Sequence, residues 1–164
     1  MGKNRAIRRL KNSRKLLSIV RQPDERLRNE NGVVSDFSVP GLKEFVMDMI
    51  HTVRQLGAVG LAAPQVGWNI RLAVAIINKQ PFVMFNPVIV DHDDVDISIE
   101  EGCLSCPNEA VKVSRWNDII IEYNNVKGEK KEVRVAGIDA IIVQHEIDHL
   151  NGKMIIDYKS MDNE

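Results

Sequence analysis

The stretch QHEIDHLNGK, from Gln144 to Lys153, constrains the fold more than any other part of the chain. Within it His145, Glu146 and His149 form the pattern H-E-x-x-H. On a helix this pattern sets two imidazoles four positions apart on one face, with a glutamate beside them. Residues 137–152, GIDAIIVQHEIDHLNG, read as such a helix. Ile138, Ile141, Ile142 and His145 share a face, and Asn151-Gly152 stops the run. That face turns the imidazoles towards the interior, where an unpaired histidine is costly. A metal ion removes the cost, but two histidines do not complete its shell. A catalytic zinc-type site takes three protein ligands and a water. The rest of the chain must therefore fold back onto this helix with a third donor.

Downstream residues do not supply it. In thermolysin-like proteases the third ligand is a later glutamate, and here the only glutamate beyond His149 is Glu164. The extended metzincin pattern is met at Gly152, but Ile155 stands where its ligand belongs. Upstream, His51 lies on the polar flank of a helix and His92 in an acidic stretch, and both read as surface residues. Cys103 and Cys106 in EEGCLSCPNE rank ahead of these. Thiolate is a strong ligand for such an ion, and Gly102 permits close backbone approach. Residue chemistry does not decide between the two cysteines. Two other readings of C-x-x-C stand beside this one. A redox pair lacks its βαβ context, and a closed structural site using both cysteines would leave Glu146 without a task.

The remaining chain reads as one α+β domain. VPGLKEFVMDMIHTVRQLG is a helix with Leu42, Phe45, Val46, Met49, Ile50, Val53 and Leu56 on one face. Pro40 starts it and Gly57 ends it. AVGLAAPQVGW, which follows, is loop-like in texture. Strands are predicted at 71–77, 82–90, 118–123 and 131–136, the last two joined by a hairpin turn in NNVKGEK. DHDDVDISIEE, at 91–101, reads as a solvated connection. There is no apolar run long enough for a membrane span and no secretory h-region. Two cysteines cannot build a disulfide framework, so a reducing cytoplasm is expected. Net charge is −1, yet residues 1–22 hold eight Lys/Arg and no acid. The start, MGKNRAIRRLKNSRK, reads as a basic arm over residues 1–15. It is either a frayed terminus, a nucleic-acid contact or, less well matched, a transit peptide. Ala6 argues against myristoylation.

Three separated segments together resemble the peptide deformylase family. Its motifs are G-φ-G-φ-A-A-x-Q, E-G-C-L-S and Q-H-E-φ-D-H-L, where φ is apolar. They stand here as AVGLAAPQ (58–65), EGCLS (101–105) and QHEIDHL (144–150). The likeness runs from about Leu17 to about Tyr158. It implies antiparallel sheets packed around a central helix carrying H-E-x-x-H, with one further amphipathic helix near the N-terminus. It implies Cys103, His145 and His149 as ligands of one divalent ion, Fe(II) physiologically, with zinc, nickel or cobalt able to replace it. Glu146 would be the general base and then the acid. Gln65 and the Leu104 N–H would meet the oxyanion. Val59 and Gly60 would pair with the substrate backbone. Ile141, Ile142 and Leu104 would hold the first side chain, commonly methionine. The implied reaction is hydrolysis of the N-formyl group of nascent polypeptides by a monomer that binds neither DNA nor membrane. Glu101 and Arg115 are expected to pair, bracing the Cys103 loop or as solvated ions. Another metallo-amidase on the same scaffold, or a structural metal site in a binding module, are the alternatives.

Two positions depart from the pattern. Ala58 replaces the first glycine, which would strain a left-handed backbone by about 1–2 kcal/mol unless Gly57 absorbs the turn. Cys106 replaces an aliphatic residue and predicts a tendency to pair with Cys103 on oxidation. The tail after Gly152 is short. Longer family members continue in a helix that docks on the ribosome, and the basic arm is expected to stand in for it by gripping ribosomal RNA.

Overall fold

A computed structural model describes residues 14–160. Helix α1 spans Leu42–Gln55 and helix α2 spans Ile138–Leu150. The strands are β1 (Gly60–Ala62), β2 (Leu72–Ile77), β3 (Gln80–His92), β4 (Asp96–Cys103), β5 (Cys106–Trp116), β6 (Asp118–Asn124) and β7 (Lys130–Ala136). The larger sheet has the order β1-β2-β3-β6-β7, and β4 and β5 form a separate two-stranded sheet. Every ladder is antiparallel. Asn78 and Lys79, both with positive φ, close the two-residue β2–β3 turn, as the right-handed strand twist requires. Gly128, at φ 81, does the same service in the turn predicted between β6 and β7.

The alternation along β1 and β2 sorts side chains by size. Leu61, Leu72 and Val74 face one core, shared with Val46, Met49, Ile50 and Val53 of α1. Ala62, Ala73 and Ala75 face the other, shared with Ala140, Val143, Ile147 and Leu150 of α2. Small residues on that face let α2 approach the sheet closely. The same helix also packs against β5 and β7. A third cluster seats the two-stranded sheet, through Val111, Val113 and Cys106, on Val20, Leu27, Met154 and Ile155. Both helix ends are tied down. Gly57 (φ 62) follows α1, and the carbonyl of Leu150, at the end of α2, accepts from Asn31 Nδ2 (2.9 Å) and Arg71 Nη1 (3.1 Å).

Several expectations are corrected. The stretch 91–101 is mostly strand: β3 runs on to His92 and β4 begins at Asp96. Ile97 and Ile99 alternate with exposed Ser98 and Glu100 along it. Strand β5 was not predicted, because its inward positions, Val111, Val113 and Arg115, include a charge. Residues 58–66 are not a plain loop but β1 followed by a 3-10 turn over Ala63–Val66. The face of Ile138, Ile141, Ile142 and His145 lines a groove, with Ile138 60% exposed at its outer end and Ile141 buried. Ala58 is not among the non-glycine residues with positive φ, so Gly57 takes the turn and alanine is unstrained. Except for Arg14 and Lys15, the basic arm lies outside the described residues, as does the end of the tail.

Candidate metal centre

Helix α2 places the Nε2 atoms of His145 and His149 3.1 Å apart. The β4–β5 hairpin turns at Leu104-Ser105, and this turn carries the Cys103 sulfur to 3.3 Å from His149 Nε2. The three donor atoms all lie within 4.8 Å of one another. A tetrahedral ion with ordinary bonds to sulfur and imidazole needs donor separations of about 3.3–3.6 Å. The donor set therefore fits such an ion. Cys106, His51 and His92 are not part of the cluster. His92 instead stacks on Trp116, with ring centroids 3.7 Å apart.

Without an ion the two imidazoles differ electrostatically. Burial drives the His149 pKa well down, leaving a neutral imidazole with a free lone pair. Burial also works against a charged His145, but hydrogen bonding to Cys103 and Glu101 outweighs it and lifts that pKa to about 10. Glu101 Oε2 lies 2.8 Å from His145 Nδ1, which fixes the ring and leaves Nε2 for the ion. Glu101 is in turn gripped by Arg115 through Nε (2.6 Å) and Nη2 (2.9 Å). This pair, expected from sequence, is buried: the two side chains are 5% and 3% exposed.

Glu146 is 3% exposed, and its Oε2 has no hydrogen-bond partner among the described residues. Burial raises its pKa to about 7, the range in which a carboxylate can both take and return a proton. A methyl group on Gly60 would stand 2.1 Å from Glu146 Oε1, so this close approach requires glycine. Gln65, from the 3-10 turn, accepts from the Ala62 N–H through Oε1 (2.8 Å). That bond directs Nε2 towards Cys103 Sγ (3.6 Å) and Ser105 Oγ (3.3 Å).

Two hollows meet at the cluster and share Val59, Gly102 and His145. The larger, about 520 Å³, holds Gly60, Gln65, Cys103 and Leu104. The smaller, about 260 Å³, is walled by Ile99, Ile138, Ile141 and Ile142. Leu104 lines the larger hollow and Ile141 and Ile142 the smaller. β1 and β4 are both edge strands, so each has a ladder edge without a partner strand. A further hollow of about 600 Å³ behind Arg115 and Asp148 contains none of the three ligands and is not this site.

The family model described as polypeptide deformylase matches residues 16–164. The chain belongs to the peptide deformylase family. A peptide deformylase from Buchnera aphidicola is 42% identical over 150 residues, covering 88% of this chain and 84% of its own. The crystal structure of the deformylase from Thermotoga maritima superposes with a TM-score of 0.84 at 38% identity, covering 87% of this chain and 97% of that one. A class I type b deformylase from Acinetobacter baumannii, solved with Met-Ala-Ser bound, gives a TM-score of 0.84 at 30% identity over 88% and 99% of the two chains. The α+β architecture read from sequence is that of these deformylases.

Sequence reasoning missed the outer part of the brace. Asp148 Oδ2 accepts from Arg115 Nη1 (2.7 Å) and from the Tyr158 hydroxyl (2.7 Å). Gln144 bonds both backbone groups of Trp116, donating to its carbonyl (2.8 Å) and accepting from its N–H (3.1 Å). Both residues stand inside the QHEIDHL motif, which was the available signal.

Proposed function

We infer that this deformylase hydrolyses the N-formyl group of formyl-methionyl polypeptides at the Cys103–His145–His149 centre, releasing formate and a free amino terminus. Cys103, His145 and His149 would hold a divalent ion, which when bound would supply Lewis acidity at this centre. Glu146 takes the water proton as the new C–O bond forms. The Gln65 amide and the Leu104 N–H donate hydrogen bonds to the oxygen that gains negative charge. Glu146 then returns the proton to the departing nitrogen as the C–N bond breaks. Val59 and Gly60 extend their sheet edge by one strand, the substrate backbone. Ile141 and Ile142 receive the methionine side chain in the smaller hollow. The peptide bound to the Acinetobacter relative begins with methionine, which supports this assignment.

One observation carries the reading: three donors suited to an ion converge next to a buried carboxylate with a free oxygen. Formate release from formyl-Met-Ala-Ser should stop with chelator and resume when Fe(II) is restored. Glu146→Gln should lower kcat by about 10²–10⁴ while metal stoichiometry stays at one per chain. A variant that binds metal and turns over at the parental rate would remove Glu146 from the reaction.

The wider reading is of one catalytic domain over residues 16–164 with H-E-x-x-H at its centre, acting as a cytoplasmic monomer. The contacts of α2 with both sheets support it, and no helix among the described residues is long and apolar enough to cross a membrane. The five Lys/Arg of residues 1–13, with Arg14 and Lys15, support a salt-sensitive contact of the arm with ribosomal RNA. Ribosome co-sedimentation should fall when residues 1–15 are deleted, and equal pelleting of both proteins rejects the contact.

A further inference from the structure

Ser105 ends the EGCLS segment, and the proposed reaction gives it no task. It sits in the β4–β5 turn, two residues beyond Cys103, and is fully buried. Its hydroxyl accepts a hydrogen bond from Gln65 Nε2 (3.3 Å). Its carbonyl accepts from the Gln22 N–H (2.9 Å), while the Gln65 carbonyl accepts from the Val20 N–H (2.7 Å). One short segment, residues 20–22, thus clasps both turns and fixes the spacing between Ser105 and Gln65.

The Gln65 amide needs such a hold. Its last side-chain torsion joins an sp³ to an sp² carbon, and such torsions are broad. The Ala62 N–H donates to Oε1 (2.8 Å), which decides which end of the amide is oxygen. One bond at that end still lets the amide plane rock about it. The bond to Ser105 at the other end stops the rocking and occupies one of the two Nε2 hydrogens. The second hydrogen is left for the Cys103 side of the amide, where Nε2 lies 3.6 Å from Sγ. Burial keeps bulk water from replacing the Ser105 hydroxyl as acceptor. We propose that Ser105 is a positioning residue, which holds the Gln65 amide with one N–H aimed at the oxygen that gains charge in the reaction. This rests on the function proposed above and adds a residue to its machinery.

The test measures deformylation of formyl-Met-Ala-Ser by metal-loaded Ser105→Ala, Gln65→Ala and the double variant, beside the parent. Ser105→Ala should lower kcat about 10–100-fold, as loss of an outer partner does at metal centres, with metal still at one per chain. KM should stay near the parental value, because the charged oxygen exists only in the transition state. Gln65→Ala should lower kcat about 10²–10³-fold, and adding Ser105→Ala to it should cost nothing more. A merely structural Ser105 would slow both backgrounds by the same factor. That result, or a parental kcat in Ser105→Ala, overturns the proposal. The Gln65 side-chain amide gives a second readout that needs no turnover. Its hydrogen exchange in the parent should be slower than that of exposed Gln55 and should quicken in Ser105→Ala. Exchange in the parent as fast as that of Gln55 also overturns it. A parent that releases no formate strikes at the function itself, whereas full-rate turnover by Ser105→Ala strikes only at Ser105.

Discussion

At position 60 a side chain as small as a methyl would collide with the Glu146 carboxylate, 2.1 Å away. Gly60 is thus more than a partner for the substrate backbone: its missing Cβ is the space in which the general base sits. Gly60→Ala should displace that carboxylate and reduce kcat by about 10²–10⁴, the usual worth of a placed base. Metal content should be unchanged, since none of the three ligands is touched. Near-parental kcat in a fully metallated variant contradicts this packing argument. Ala58, two residues earlier, illustrates the reverse case. It breaks the family motif in sequence, yet Gly57 bears the positive φ and no strain follows.

Among the elements, the β4–β5 hairpin does the most for the site and was the least legible. Its turn delivers Cys103, and it opposes Cys103 to Cys106 directly across the strands. Burial pushes the Cys106 thiol up to about 12, so a disulfide should form slowly at neutral pH and faster in alkali. With chelator and glutathione disulfide present, intact mass should fall by about 2 Da in step with loss of both thiols, and Cys106→Ile should abolish the change. An unchanged mass in the parent under alkaline conditions contradicts the pairing. The hairpin escaped prediction because acidic residues mask the alternation of Ile97 and Ile99, and because Arg115 fills an inward position. Both helices were readable from apolar spacing and glycine stops, which are local signals. The candidate donors Cys103, His145 and His149 were picked out because motif chemistry is local too, although residue chemistry alone left Cys103 and Cys106 undecided. The hairpin turn, which only the folded chain displays, separates them.

Across the whole molecule, Arg115 joins three distant parts: Glu101 on β4, Asp148 on α2 and the Tyr158 hydroxyl, 3.4 Å from Nη1, near the chain end. No local pattern pairs residues so far apart in sequence, so Asp148, although inside the QHEIDHL motif, and Tyr158 went unread. Arg115→Met leaves Glu101 buried without its cation, a loss of about 3–5 kcal/mol in unfolding free energy. It should also weaken metal binding about 10–100-fold by loosening His145. The brace has a pH signature as well. Burial alone would raise the Glu101 pKa, but hydrogen bonds from Arg115 and His145 overcome it and hold the group at about 2. Its folded value thus lies below the ordinary 4.5, so the stabilisation is complete above that pH and drains away as pH falls towards 2. Denaturant titrations across this window should show the loss in the parent and a flatter profile in Arg115→Met. Equal slopes in the two proteins contradict the assignment.

The centre itself is open to direct measurement by X-ray absorption at the metal edge of the zinc-loaded enzyme. The account predicts one sulfur at about 2.3 Å and two imidazole nitrogens at about 2.0–2.1 Å, with a light oxygen scatterer completing the shell. The sulfur shell should vanish in Cys103→Ala and persist in Cys106→Ile. Two sulfurs in the parent, or a sulfur shell that survives Cys103→Ala, would contradict the three-residue centre on which the proposed chemistry stands.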